Sequence, residues 1–122
     1  MNKILIVEDN EESLYLAKFI LEKEGYEVIE ARDGPEALDK TSTETPDLIL
    51  MDMQLPILDG YETTRRIKAD ERLTKIPVIA LTAYAMKGDR EKTREAGCDG
   101  YISKPIIPEE FIKTINSYLK LG

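Results

Sequence analysis

The chain of 122 residues contains no histidine, no tryptophan and a single cysteine. Without histidine, the protein has no imidazole to serve as a metal ligand, a general base or a nitrogen carrier of phosphoryl groups. Because Cys98 has no second cysteine to pair with, an internal disulfide is excluded and a reducing compartment is expected. Because the chain has no histidine, any phosphohistidine chemistry must be supplied by another protein.

Long apolar runs are also missing, and none approaches the roughly 20 residues that a membrane-spanning helix needs. The first predicted strand begins almost at Met1, which leaves no room for a signal peptide, so we expect a cytoplasmic protein. A formal net charge of −7 argues against nonspecific binding to nucleic acid. The length, with 42% apolar and 34% charged residues, is typical of one globular domain over residues 1–122.

Short apolar runs alternate with amphipathic segments, which is the pattern of βα units around a parallel sheet. We predict five helices and five strands, the strands near Lys3–Val7, Glu27–Ala31, Leu48–Met51, Pro77–Leu81 and Tyr101-Ile102. The third run is the most apolar and is placed centrally, whereas the second alternates charged and apolar residues like an edge strand. Helices are expected after Asn10, from Gly34-Pro35, up to about Asp70, within residues 83–96 and from Pro108.

Four of the predicted strands run into residues that carry chemistry. These residues are Glu8 and Asp9, Asp52, Thr82 and Lys104. Ligands of parallel α/β sheets bind outside the carboxyl ends of the strands, so these side chains are expected to converge at one edge. Three acids, a hydroxyl and an ammonium together predict a metal-assisted phosphoryl-transfer site with an aspartate as the acceptor.

Five motifs follow one another at the ends of the predicted strands: Ile4–Asn10, Leu50–Pro56, Asp59-Gly60, Ala80–Ala83 and Lys104-Pro105. In this order they resemble the receiver domains of two-component signalling over essentially the whole chain. The resemblance implies a doubly wound, flavodoxin-like sheet of order 2-1-3-4-5 with five flanking helices. It is closest to stand-alone receivers of the cell-cycle and chemotaxis type, which are not enzymes beyond catalysing their own phosphorylation and dephosphorylation.

The resemblance assigns the acidic residues. Asp52 would be the phosphoacceptor, and Glu8, Asp9 and Asp52 would bind Mg²⁺ together with the backbone carbonyl of Gln54. Gln54 is also expected to influence the lifetime of the phosphoryl group. Without metal, three neighbouring carboxylates should repel one another and raise at least one pKa.

The resemblance also assigns a clamp and a switch. Lys104, joined to Pro105 by a cis bond, would hold the phosphoryl oxygens with its ammonium group. Thr82 would donate a hydrogen bond to a phosphoryl oxygen, and Tyr101 would fill the space that Thr82 vacates. Tyr84 is expected to crowd the attacking water and slow hydrolysis.

The expected partners are proteins. A sensor histidine kinase or a histidine phosphotransfer protein would donate the phosphoryl group, with Ser13, Leu14 and Lys18 as candidates for specificity. A downstream protein would bind the face formed by the helix at Lys87–Ala96, the strand at Tyr101 and the last helix. The acidic start of that last helix, Pro108-Glu109-Glu110, favours a monomer in the resting state. No basic stripe suited to nucleic acid is present.

Three alternatives remain open. A phosphatase that forms an aspartyl-phosphate would need a second aspartate two residues after the first, where Gln54 stands. A flavin-binding module would need a phosphate loop after the first strand, where the acidic segment Glu8–Glu12 would repel phosphate. A receiver that acts only as a docking surface would lack one of the site residues, and none is missing.

Overall fold

The computed structural model describes residues 2–83 and 87–119, which fold as five strands alternating with five helices. The strands are β1 (Lys3–Val7), β2 (Glu27–Ala31), β3 (Leu48–Asp52), β4 (Val78–Thr82) and β5 (Gly100–Ser103). The helices are α1 (Glu11–Lys23), α2 (Gly34–Glu44), α3 (Gly60–Ala69), α4 (Lys87–Ala96) and α5 (Pro108–Leu119). Within these described ranges, no helix is long and apolar enough to cross a membrane.

All five strands pair in parallel in the order β2-β1-β3-β4-β5, as predicted. Every residue of the central strand β3 is buried, whereas the edge strand β2 buries only Ala31 completely. The register sets Asp52 of β3 opposite Leu81 of β4, and Thr82 opposite Ser103 of β5. The carboxyl ends of the central strands therefore finish side by side.

Two predicted strand ends were one residue short. The predicted strands ended at Met51 and Leu81, whereas β3 and β4 each include one more residue, Asp52 and Thr82. The pairing continues because the Lys104 amide donates to the Thr82 carbonyl at 2.8 Å and the Met53 amide to the Leu81 carbonyl at 3.1 Å. Both polar residues thus have the fixed backbone of a paired strand.

The two faces of the sheet are buried by different helices. Alternate strand residues point to opposite faces, so Ile4 and Leu50 pack with the apolar residues of α1 and α5, including Leu14 and Phe111. Leu5, Val7, Ile49 and Met51 pack on the other face with Ala37 of α2 and Ile67 of α3. A sheet covered on both faces leaves its carboxyl edge as the place for a site.

The Asp59-Gly60 motif has a structural role beneath that edge. Asp59 caps α3 by accepting a hydrogen bond from the Glu62 amide at 2.9 Å. The Gly60 amide donates to the Met53 carbonyl at 3.1 Å. A Cβ at Gly60 would collide with the backbone oxygen of Asp52 and the Cα of Met53. Glycine is therefore required for α3 to start directly against the end of β3.

Candidate functional site

Three carboxylates meet where β1 and β3 end. One oxygen from each of Glu8, Asp9 and Asp52 lies within 4.8 Å of the others. Glu8 is 2% exposed and Asp52 is 5% exposed, while Asp9 faces solvent. Two oxygens on opposite sides of an octahedral Mg²⁺ are about 4 Å apart, so a small adjustment brings all three within reach of one hard cation. The donor set and its spacing fit such an ion.

Local backbone structure holds the acids in place. The Glu8 amide donates to the carbonyl of Ala31 at 3.0 Å, which ties the end of β1 to β2. The Asn10 amide donates to Glu8 Oε2 at 3.2 Å, and the Asn10 side chain caps α1. The Gln54 amide donates to Asp52 Oδ1 at 3.1 Å. The acids and Gln54 line one open cavity of about 430 Å³.

Lys104 supplies the positive charge of the site. Its Nζ lies 2.7 Å from Glu8 Oε1 and 3.6 Å from Asp52 Oδ2, and its side chain is 20% exposed. The peptide bond from Lys104 to Pro105 is cis, as predicted from the resemblance. In this state the ammonium therefore pairs mainly with Glu8 and stands near the carboxylate of Asp52.

The surroundings of Asp52 raise the pKa of its carboxyl group. Burial first, and then the hydrogen bond and negative charge of Glu8, raise the pKa of Asp52 from 3.8 to about 7. The Gln54 amide and the Lys104 charge oppose this rise. The predicted increase of at least one pKa is confirmed, although desolvation contributes more than repulsion. Near neutral pH a bound cation would displace a proton from this carboxyl.

The proposed switch residues Thr82 and Tyr101 meet at Asp89 of α4. Thr82 Oγ1 donates to Asp89 Oδ2 at 2.9 Å, and the Tyr101 hydroxyl lies 3.5 Å from the same oxygen. The Tyr61 hydroxyl donates to Asp89 Oδ1. Burial and the Asp89 charge raise the pKa of Tyr101 above its ordinary value. Sequence reasoning missed Asp89 and Tyr61, because these contacts form only when α4 packs against its neighbours and no sequence pattern announces that packing.

The expected specificity residues on α1 need one correction. Leu14 is only 3% exposed and packs in the core below α1, so it cannot contact a partner. It belongs to the apolar stripe that continues with Ala17 and Leu21. Ser13 is half-buried at the rim of the acidic cavity, and Lys18 pairs with Glu30 at 2.8 Å.

The outer side of α1 carries an apolar patch that sequence reasoning also missed. Tyr15 is 71% exposed, Leu16 42% and Phe19 55%. The rings of Tyr15 and Phe19 stack with their centroids 6.4 Å apart. Their spacing of four residues, off the buried stripe, was the signal that could have revealed the patch. We call these three residues the α1 patch.

A second surface feature lies between α4, β5 and α5. A cavity of about 380 Å³ is lined by residues that include Arg90, Tyr101, Lys104 and Phe111. The Arg90 guanidinium stands 5.0 Å from the centre of the Tyr101 ring. This cavity is therefore lined both by the proposed switch residue Tyr101 and by Lys104 of the acidic site. Tyr84, predicted to control the phosphoryl lifetime, lies outside the described residues.

Comparisons with known proteins agree with this geometry. Residues 4–116 match the family model described as the response regulator receiver domain. The chain is 55% identical over 116 residues to the polar-differentiation response regulator DivK of Brucella ovis, with 95% of this chain and 94% of that protein covered. The structure is also similar to the receiver domain of the sensor histidine kinase PA1611 of Pseudomonas aeruginosa PAO1, with a TM-score of 0.92 and 39% identity. The match covers 98% of each chain. That crystal structure contains a magnesium ion coordinated in its active-site cleft.

A chemotaxis protein gives a similar result. The Vibrio cholerae protein CheY4 superimposes with a TM-score of 0.92 at 29% identity, over 97% of this chain and 98% of that chain. The doubly wound fold is thus shared across receivers of different biological settings.

Proposed function

The chain belongs to the family of response regulator receiver domains of two-component signalling, and from this premise we propose that Asp52 accepts a phosphoryl group from a partner's phosphohistidine. The observation that carries the proposal is the position of Lys104 Nζ, 3.6 Å from an Asp52 oxygen, inside a cluster of three carboxylates. An ammonium beside a buried acceptor stabilises the charge that gathers on a transferred phosphoryl group.

The acidic cluster serves as the binding site for Mg²⁺. Glu8, Asp9 and Asp52 provide carboxylate oxygens, and the backbone carbonyl of Gln54 completes the protein ligands. The ion supplies a positive charge that offsets the repulsion between the acceptor carboxylate and an anionic donor. The magnesium ion reported for the PA1611 receiver domain supports this assignment.

The transfer itself requires only one bond to form and one to break. A carboxylate oxygen of Asp52 bonds to phosphorus as the bond between phosphorus and the donor imidazole nitrogen breaks, and that nitrogen keeps the electron pair. Lys104 then shifts from Glu8 towards the phosphoryl oxygens, which carry more negative charge than one carboxylate. Its 2.7 Å contact with Glu8 holds it within reach before transfer. The protein thus catalyses only its own phosphorylation and dephosphorylation.

The α1 patch is the docking surface for the phosphodonor. Leu16 belongs to the patch and lines a small cavity with Ser13 and Lys104, so the patch borders the acceptor site. Exposed aromatic residues beside a reactive site are typical of protein interfaces. A partner helix seated on Tyr15 and Phe19 would bring its phosphohistidine to the edge above Asp52.

A small phosphodonor such as acetyl phosphate does not need a docking surface, so it separates the effect of docking from that of the transfer reaction. A variant with Tyr15→Ser and Phe19→Ser should react with acetyl phosphate at the rate of the unmodified protein. The same variant should accept phosphoryl groups from a phosphorylated histidine phosphotransfer protein at least tenfold more slowly, because its contact surface is lost. Equal rates with the protein donor would contradict the docking role of the α1 patch.

The output is a change in protein binding at the face of α4, β5 and α5. Thr82 and Tyr101 connect this face to the acceptor site, and the cavity beneath Arg90 gives a partner a place to insert a side chain. Movement of the Thr82 hydroxyl towards a modified Asp52 would change the surroundings of Tyr101. We expect the unphosphorylated protein to be a monomer.

The acceptor reaction is tested by intact mass after incubation with acetyl phosphate and Mg²⁺. One added phosphoryl group is expected, and it should be absent from Asp52→Asn and from a sample treated with EDTA. Addition to Asp52→Asn at the same level would contradict the assignment of Asp52. Addition without metal would contradict the role of the acidic cluster.

A further inference from the structure

Asp89 of α4 accepts hydrogen bonds from side chains of three other elements. Thr82 from the end of β4 donates to Oδ2 at 2.9 Å, and Tyr61 from α3 donates to Oδ1. The hydroxyl of Tyr101 on β5 lies 3.5 Å from Oδ2. We call Tyr61, Thr82, Asp89 and Tyr101 the Asp89 cluster. The Asp89 carboxylate therefore contacts both Thr82, beside the acceptor site, and Tyr101, on the output face.

The Thr82 hydroxyl has a single proton to donate. In the unphosphorylated protein that proton is directed to Asp89 Oδ2. Thr82 follows Leu81, the residue that pairs with Asp52 in the sheet, so it is also the hydroxyl nearest in register to the acceptor. A phosphoryl group on Asp52 and the carboxylate of Asp89 must therefore compete for one proton.

The remaining donors allow Asp89 to release Thr82. Tyr61 occupies Oδ1, so the carboxylate keeps one hydrogen bond in either state. The hydrogen bond from the Tyr101 hydroxyl to Oδ2 is long at 3.5 Å, and the same phenol also bonds with Thr82. When Thr82 departs, the hydrogen bond from Tyr101 can shorten, so the oxygen of this half-buried carboxylate keeps a donor.

We propose that Asp89 is a positioning residue, which retains the Thr82 hydroxyl in the resting protein and exchanges it for the Tyr101 phenol when Asp52 is phosphorylated. This inference rests on the proposed function, since it requires a phosphoryl group on Asp52. It gives α4 a direct part in the switch, because each state of the acceptor site sets a different hydrogen bond to the first turn of this helix.

The test is a titration with beryllofluoride, a mimic of the phosphoryl group, in the presence of Mg²⁺. Asp89→Asn keeps the shape of the side chain but removes its charge, and a hydrogen bond to a charged acceptor is roughly twice as strong as one to a neutral acceptor. The variant should therefore bind beryllofluoride about fivefold more tightly than the unmodified protein. Glu91→Gln is the matched control, because it removes the same charge from an exposed position on the same helix. It should leave the beryllofluoride affinity unchanged.

Double variants show whether Asp89 acts through Thr82. In a Thr82→Ala background, Asp89→Asn should have no effect on beryllofluoride affinity, because no hydroxyl remains to be released. Tyr101→Phe should weaken binding several-fold, since the vacated Asp89 oxygen then lacks its replacement donor. If Asp89→Asn increased the beryllofluoride affinity equally with and without the Thr82 hydroxyl, Asp89 would act only through its negative charge. That result would overturn the proposal.

Two further results have clear meanings. If Asp89→Asn proves too unstable to titrate, Asp89→Ala tests the same release and should bind the mimic at least as tightly. An affinity equal to or weaker than that of the unmodified protein in a folded Asp89 variant contradicts the inference alone. If the unmodified protein shows no binding that depends on Mg²⁺ and Asp52, the proposed function fails as well, so the two failures are distinguishable.

Discussion

Replacing Asp52 with asparagine should stabilise the protein in the absence of metal. Burial and Glu8 raise the pKa of Asp52 to about 7 in the folded protein, from 3.8. The folded state therefore binds the proton more tightly than the unfolded chain, and ionising Asp52 costs folding free energy. Asparagine keeps the shape and can still accept the hydrogen bond from the Gln54 amide, but it has no charge to bury.

The magnitude follows from the two pKa values. Each unit corresponds to about 1.36 kcal/mol, so ionised Asp52 costs on the order of 4 kcal/mol of unfolding free energy. The stability that protonated Asp52 contributes is complete below pH 4 and declines as pH rises towards 7, then stays constant. The advantage of Asp52→Asn should accordingly grow by about 2–3 kcal/mol between pH 5 and pH 8. The 3.6 Å contact with Lys104 is already part of this value, because the ammonium lowers the pKa of Asp52.

Urea unfolding with EDTA, followed by circular dichroism, measures this difference. Asp39→Asn, on the exposed side of α2, is the matched control and should change stability by less than about 0.5 kcal/mol. Mg²⁺ should stabilise the unmodified protein and have little effect on Asp52→Asn, because ligands that bind the folded state raise its stability. An Asp52→Asn variant that is no more stable than the unmodified protein at pH 8 would refute the reasoning.

Three other predictions follow from the same geometry. Mg²⁺ should bind about tenfold more tightly at pH 8 than at pH 6 in a calorimetric titration, because the cation displaces the proton of Asp52 as pH passes about 7; a flat profile would contradict this. Thr82→Ala should still be phosphorylated by acetyl phosphate, but the change in hydrogen exchange of α4 should shrink, and full coupling would count against the switch. Gly60→Ala should lose about 2–3 kcal/mol in chemical unfolding, because its Cβ meets backbone atoms. Gly25→Ala, with open space but a φ of 93°, should lose only about 1 kcal/mol, and equal losses would refute the steric argument.

The sheet and its acidic edge could be predicted because both depend on patterns that are local in sequence. Apolar runs of four or five residues define β1, β3 and β4, and the polar residues at their ends define the site at the carboxyl edge. The parallel order then brings together Glu8 and Asp52, which are distant in sequence, without any further information. The cis bond before Pro105 followed from the resemblance and is confirmed.

Features that depend on tertiary packing were missed. Asp89 meets Thr82 only because α4 packs across the ends of β4 and β5, and the sequence contains no periodic signal for that contact. Leu14 was named as a specificity candidate, but its position on the apolar stripe of α1 places it in the core, where a partner cannot touch it. The exposure of Tyr15 and Phe19 also depends on which face of the helix meets the sheet. Packing therefore decides which residues a partner can touch.

The most direct test of the account is to locate the modified residue chemically. The protein is treated with acetyl phosphate and Mg²⁺, reduced with borohydride, which converts an aspartyl phosphate to homoserine, and digested for peptide mass analysis. We expect homoserine at position 52 alone, and none when Mg²⁺ is removed. Homoserine at Asp9 or at another acid, with position 52 unchanged, would contradict the central claim that Asp52 is the phosphoacceptor.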